Sequence, residues 1–118
     1  MVAPEAEPEP TPAATAPAPA ALKGYWIVHI DVTDPEGYKP YQGAASAAFS
    51  AFGARYLVRG GRQEIAEGRQ RSRCVVVEFP SYDAALACYR SPQYRTAIDL
   101  RAGKADFDML AIEGYGGD

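Results

Sequence analysis

His29 is the only histidine in this 118-residue chain. An imidazole titrates near neutral pH, so it is the side chain best suited to act there as a general acid or base. Glu78, a carboxylate on what reads as a neighbouring strand, stands where it could orient that ring. The plainer alternative is a histidine hydrogen-bonded inside a subunit interface. A single histidine has no partners at metal-ligand spacing. Cys74 and Cys88 make neither a disulfide framework nor a four-ligand site. Neither a metal nor a cofactor is expected. Both cysteines read as small buried apolar residues, because neither lies beside a basic group at a helix N-terminus that would favour the thiolate.

Arg59-Gly60-Gly61 can bring a guanidinium and a closely approaching backbone to an anionic ligand such as a carboxylate. The alternative is a strand-ending turn with an interfacial salt bridge. No Gly-Lys-Ser/Thr follows, so it is not a phosphate-binding loop. Arg69, Arg71 and Arg73 alternate and are expected on one face of an edge segment, where charge discourages sheet-to-sheet association. Tyr25, Tyr38, Tyr41, Tyr89 and Tyr94 could frame a flat ligand, but such residues more often pack cores and interfaces.

Two regions of different composition carry these residues. Residues 1–22 hold six of the ten prolines, eight alanines, the glutamates Glu5, Glu7 and Glu9, and no aromatic residue. Such a stretch cannot bury enough apolar area to offset its ordering entropy, so an extended, partly polyproline-like arm is expected. It is read as a solubilising extension or a docking arm for a protein partner, and as neither a secretory signal nor a transit peptide. Residues 23–118 form one domain. Its acids and bases nearly balance and the whole chain has a net charge of −3, which argues against a nucleic-acid partner. No apolar run reaches the roughly 18 residues of a membrane span. A small cytoplasmic domain is expected.

GYWIVHIDV at 24–32 reads as a strand. Asp34-Pro35 then caps a helix with Tyr38, Tyr41, Ala45, Ala48, Phe49 and Phe52 at helical spacing and Gly53 at its end. Pro40 removes a backbone donor, so either the first turn is kinked or the regular helix begins nearer Lys39. RYLVR at 55–59 is a second strand, residues 63–66 a short strand-like excursion turning at Gly68, and RCVVVEF at 73–79 a central strand. Ser81 caps a helix that buries Ala85, Leu86 and Tyr89. Ser91-Pro92 restarts a helical turn that Gly103 stops, and residues 107–113 form the last strand. The order βαββαβ predicts an α+β ferredoxin-like sandwich, with an antiparallel sheet ordered 4-1-3-2 and the helices on one face.

Strand alternation places Trp26, Val28, Ile30, Tyr56, Val58, Val75, Val77, Phe79, Leu110 and Ile112 beneath the helices. It places Tyr25, Ile27, His29, Asp31, Arg55, Leu57, Arg59, Cys74, Val76, Glu78, Phe107, Met109 and Glu113 on the open face. Helices cover only one side, so the open face needs water, a ligand or another subunit against it. His29 as base and Tyr25, Arg59, Glu78 and Glu113 as ligand contacts are the expected site.

KGYWIVHIDVTDPEGY, RYLVRGG, RCVVVEFPSYDAALACYRSPQY and AIEGY, in that order over residues 23–115, resemble domain-of-unknown-function family 1330. The resemblance implies a branch of the dimeric α/β-barrel superfamily, in which two sheets face each other across a two-fold axis. That superfamily includes cofactor-independent monooxygenases, lactone isomerases and haem-handling proteins, and the branch brings no reaction to carry over. The arm and Pro40 depart from the family pattern. The resulting expectation is a homodimer that binds a small organic ligand between its sheets. The alternatives are a cofactor-independent enzyme with His29 as base, and an accessory subunit docking through its domain and arm.

Overall fold

The computed structural model describes residues 22–116; the expected arm lies outside them except for Leu22. The elements run β1 (Gly24–Val32), α1 (Pro35–Ala51), β2 (Arg55–Arg59), β3 (Arg73–Phe79), α2 (Tyr82–Arg90), α3 (Pro92–Arg101) and β4 (Ala105–Glu113). The four strands form one sheet ordered β2-β3-β1-β4, antiparallel at every pairing, which is the expected order read from the other edge.

Local chemistry fixes the helix ends. The Asp34 carboxylate accepts the Gly37 amide at 3.1 Å and Pro35 opens α1, so the helix starts there and not nearer Lys39. Pro40 sits inside it, removing one intrahelical donor without ending the helix. Ser91 punctuates the second helical stretch. Its hydroxyl donates to the Cys88 carbonyl at 2.7 Å and accepts the Tyr94 amide at 3.2 Å, closing α2 and opening α3 with one side chain. The stretch at 63–66 is not strand-like: residues 61–70 are exposed and outside the sheet apart from a left-handed turn at Gly68.

The core lies between the sheet and the helices. Trp26 is 1% exposed and meets Phe49, Phe79 and Tyr94 with ring centroids 4.9–5.3 Å apart. Its indole N–H donates to the Ala85 carbonyl at 3.0 Å. In α2, Ala85 and Cys88 are the buried residues; Leu86 is half-buried and Tyr89 is exposed. β1 can approach α2 closely only because residue 24 is glycine. A Cβ there would lie 2.5 Å from the Ser81 carbonyl oxygen and 2.6 Å from the Tyr82 Cα.

The register corrects the two faces of the sheet in three places. In β4, Met109 pairs with Val28 and Phe107 with Ile30, so these side chains face the helices, while Leu110 and Ile112 face the open side. Glu113 pairs with Gly24 and so belongs to the helix-side register, exposed at the strand end. In β2 an irregularity between Tyr56 and Val58 shifts the pattern by one residue, opposing Val58 to Val76 and Arg59 to Val75. Val58 thus turns to the open face and Arg59 to the helix side, the reverse of what strict alternation predicts. Finally, Arg71 reaches Asp31 and Asp108 whereas Arg73, opposite Ile30, lies on the helix side, so Arg71 and Arg73 do not share a face.

Candidate functional site

Seen from the side away from the helices, the register sets the side chains in rows across the strands. Where β1 begins, Ile112, Tyr25, Glu78 and Arg55 stand abreast. The next row is wholly apolar: Leu110, Ile27, Val76 and Val58. Asp108, His29 and Cys74 follow, and then Asp106 and Asp31. The apolar row leaves Leu110 51% and Val58 40% exposed, with Ile112 beside it at 50%.

Both polar ends hold ion pairs, balanced at the Arg55 end and with an acidic excess at the other, where Arg71 serves two carboxylates. At one end the Arg55 guanidinium donates to Glu78 Oε1 at 2.8 Å and the Tyr25 hydroxyl donates to Oε2 at 3.3 Å. The Arg55 hydrogen bond holds the Glu78 carboxyl below the usual carboxylate range. Burial, and then the Glu78 charge, push the Tyr25 hydroxyl up. At the other end Arg71 donates to Asp108 Oδ2 at 2.8 Å and to Asp31 Oδ2 at 3.0 Å, and the Ser72 amide donates to Asp31 Oδ1 at 2.9 Å. The Ser72 amide first, and Arg71 after it, draw the Asp31 carboxyl down.

His29 lies between these clamps. It faces Cys74 on one side and Asp108 on the other, and its Nδ1 is buried with no hydrogen-bond partner. The ring lines a cavity of about 440 Å³, whose floor includes Val58 and Cys74 and whose wall is the segment running from Gly61 to Glu67 with Gln70. Gln63 holds that segment to the sheet end by donating to the Arg71 carbonyl at 2.9 Å. The arrangement supplies one imidazole, able to accept or donate a single hydrogen bond or to move a proton, beside an apolar row. The wall adds the polar side chains of Arg62, Gln63, Glu64, Glu67 and Gln70, with Ile65 and Ala66 between them, so the cavity is mixed in character.

Of the expected site, His29, Tyr25 and Glu78 share the open face. Glu78 cannot orient His29, because it stands opposite Tyr25, four residues along β1, or about 13 Å at strand rise. Arg59 and Glu113 fall outside this face for the reasons given above. Sequence reasoning missed the cavity wall at 61–67, because its residues carry no periodicity, and missed Asp108 and Arg71 as neighbours of His29. Cys74 is half-buried beside the cavity, whereas Cys88 is fully buried and its thiol is pushed up to about 12 by burial. Among the described residues no group of three or more His, Cys, Asp or Glu side chains is placed to hold a metal ion, and no helix is long and apolar enough to cross a membrane.

Solved structures share this architecture at low sequence identity. A protein of unknown function from Rhodopseudomonas palustris is 18% identical, with a TM-score of 0.64 over 81% of this chain and 85% of that one. A dimeric ferredoxin-like protein of unknown function from Thermobifida fusca is 16% identical, with a TM-score of 0.54 over 79% and 92% of the two chains. SnoaB, a cofactor-independent oxygenase from Streptomyces nogalater, is 11% identical, with a TM-score of 0.53 over 82% and 97%. The fold is thus the ferredoxin-like α+β sandwich. No curated protein matches the sequence. The model of one family, described only as a domain of unknown function, does match, and it spans residues 23–115, nearly all that the structure describes. On that match the chain belongs to the DUF1330 family.

Proposed function

We propose that two copies of this chain pair through the open face of the sheet, and that the pairing turns the His29 cavity into a chamber holding a small organic molecule. The observation that carries the ligand is His29, which lines a cavity of about 440 Å³ and whose Nδ1 is buried without a hydrogen-bond partner. A buried polar nitrogen without a partner is costly, and a turn of the ring that brings it to a hydrogen-bonding ligand group relieves that cost. The pairing is supported by the apolar row running across all four strands, bordered at one end by the balanced Arg55–Glu78 pair. The dimeric Thermobifida protein of the same fold is in keeping with it. In this reading Tyr25 and Glu78 close the chamber's far end and His29 supplies its imidazole. Cys74 and Cys88 stand as free thiols, which suits the reducing cytoplasm.

Native mass spectrometry of the gently purified protein tests both halves of the proposal. A dimer with a small-molecule increment that His29→Gln loses is the expected result. A monomer overturns the pairing, and a dimer with the same increment in His29→Gln overturns the site. A second reading, turnover with His29 as base, rests on the fold shared with the oxygenase SnoaB and on the same free nitrogen. Under it the captured molecule is consumed in air by the native protein and survives with His29→Gln.

A further inference from the structure

The helix side of the sheet carries an uncompensated charge feature that the open-face reading does not use. The β2 irregularity turns Arg59 to that side, where its guanidinium lies 4.4 Å above the Tyr56 ring. Arg73 reaches the same place from β3. Its guanidinium packs flat on Gly60, so closely that a Cβ there would collide with Nη1 and lie 2.6 Å from Cζ. Gly60 also has a φ of +69°, so glycine serves both the turn and the arginine. With Tyr38, Tyr41 and Gln42 of α1, and with Tyr56, the two arginines line a cleft between α1 and the sheet.

The other arginines that touch the sheet or pack beneath the helices have an oxygen to donate to. Arg55 has Glu78, Arg71 has Asp31 and Asp108, and Arg101 donates to the Tyr94 hydroxyl at 2.8 Å. Arg59 and Arg73 have no carboxylate partner among the described residues, and Arg73 Nε is buried without any hydrogen bond. Two like charges converging on one cleft, with a buried donor left unmatched, are unfavourable unless an anion joins them.

We propose that Arg59 and Arg73 together bind the carboxylate of a short-chain organic acid. Guanidinium forks match a carboxylate in bidentate geometry, and two of them can hold both its oxygens. The cleft behind them encloses only about 30 Å³, lined largely by aromatic rings and aliphatic groups, which is room for a methyl-sized tail and not for a ring. A two- or three-carbon monocarboxylate therefore fits the site. It lies across the sheet from His29 and is independent of the pairing and of the chamber.

The test is a titration of the full chain with sodium propionate, followed by the arginine Nε–Hε resonances, with sodium chloride at matched ionic strength and sodium phosphate as comparators. Saturable shifts of the Arg59 and Arg73 signals with propionate alone are expected, weakened about tenfold or more in Arg59→Gln and in Arg73→Lys. Arg59 is exposed, so Arg59→Gln leaves the fold intact and keeps the test decisive even where Arg73→Lys disturbs packing. Equal responses to chloride and propionate overturn the proposal, as does wild-type affinity in Arg59→Gln. Tighter binding of phosphate than of propionate overturns the carboxylate assignment.

Discussion

Replacing Leu110 by aspartate puts a charge into the apolar row through which the two copies are proposed to pair. Leu110 is 51% exposed in the single chain, and full burial of a leucine side chain is worth roughly 1.5–3 kcal/mol, so pairing recovers about half of that, ~1 kcal/mol per copy. A two-fold interface counts it twice, so losing the contact alone costs about 2 kcal/mol, or about a 30-fold weaker dimer. Aspartate adds the penalty of taking two carboxylates out of water beside Ile27, several kcal/mol per ion when burial is complete. Leu110→Asp is therefore expected to be monomeric where the unmodified protein is dimeric, while remaining folded, because the position is half in water before pairing. Sedimentation velocity over a dilution series measures this. Leu100→Asp, at a leucine 40% exposed on α3 on the helix side, is the control and leaves the equilibrium unchanged. Should Leu110→Asp dimerise as tightly as the unmodified chain, the open face is not the interface and the chamber reading fails with it.

Other substitutions test the fold that holds the site. Gly24→Ala forces a Cβ against the backbone of Ser81 and Tyr82 and is expected to cost about 2–3 kcal/mol, read by urea denaturation. Ser91→Ala removes the hydroxyl that closes α2 and opens α3, for an expected loss of about 1–2 kcal/mol by the same measurement. Asp31 and Glu78 both have carboxyls held below their ordinary values, so the folded chain binds fewer protons than the unfolded one as these groups titrate. Their contribution to stability is complete above the ordinary carboxylate value of about 4 and is lost as pH falls through the lower folded values. Asp31→Asn and Glu78→Gln should each flatten that acid limb of a stability-against-pH curve. A limb unchanged in both variants would remove these two carboxylates from the account.

The fold was legible because its strongest elements carry redundant signals. β1 and β3 alternate cleanly, and Asp34-Pro35, Ser81 and Ser91-Pro92 mark helix starts by side-chain chemistry that needs no tertiary context. β4 was not legible in its facing, since Phe107, Met109 and Ala111 on one side and Leu110 and Ile112 on the other are all apolar, and only pairing with β1 chooses between them. RYLVR gives no sign of its irregularity either: nothing in five residues says that Leu57 is passed over so that Arg59 turns inward. His29 could be placed from β1 alone. Its neighbours Asp108 and Arg71 could not, because they depend on strand register and on a loop end that has no period.

The position of the chain's one tryptophan makes the protein its own reporter. Trp26 sits under the helices with its indole N–H bonded to Ala85 and aromatic rings about it, so its emission belongs to a dry, rigid surrounding and shifts to the red when the core opens to water. Its side chain points away from His29, because successive residues of β1 alternate between the two sides of the sheet. Loading the open face should leave that emission nearly unchanged, while unfolding changes it fully. Occupation and collapse can then be told apart in one cuvette without attaching a dye.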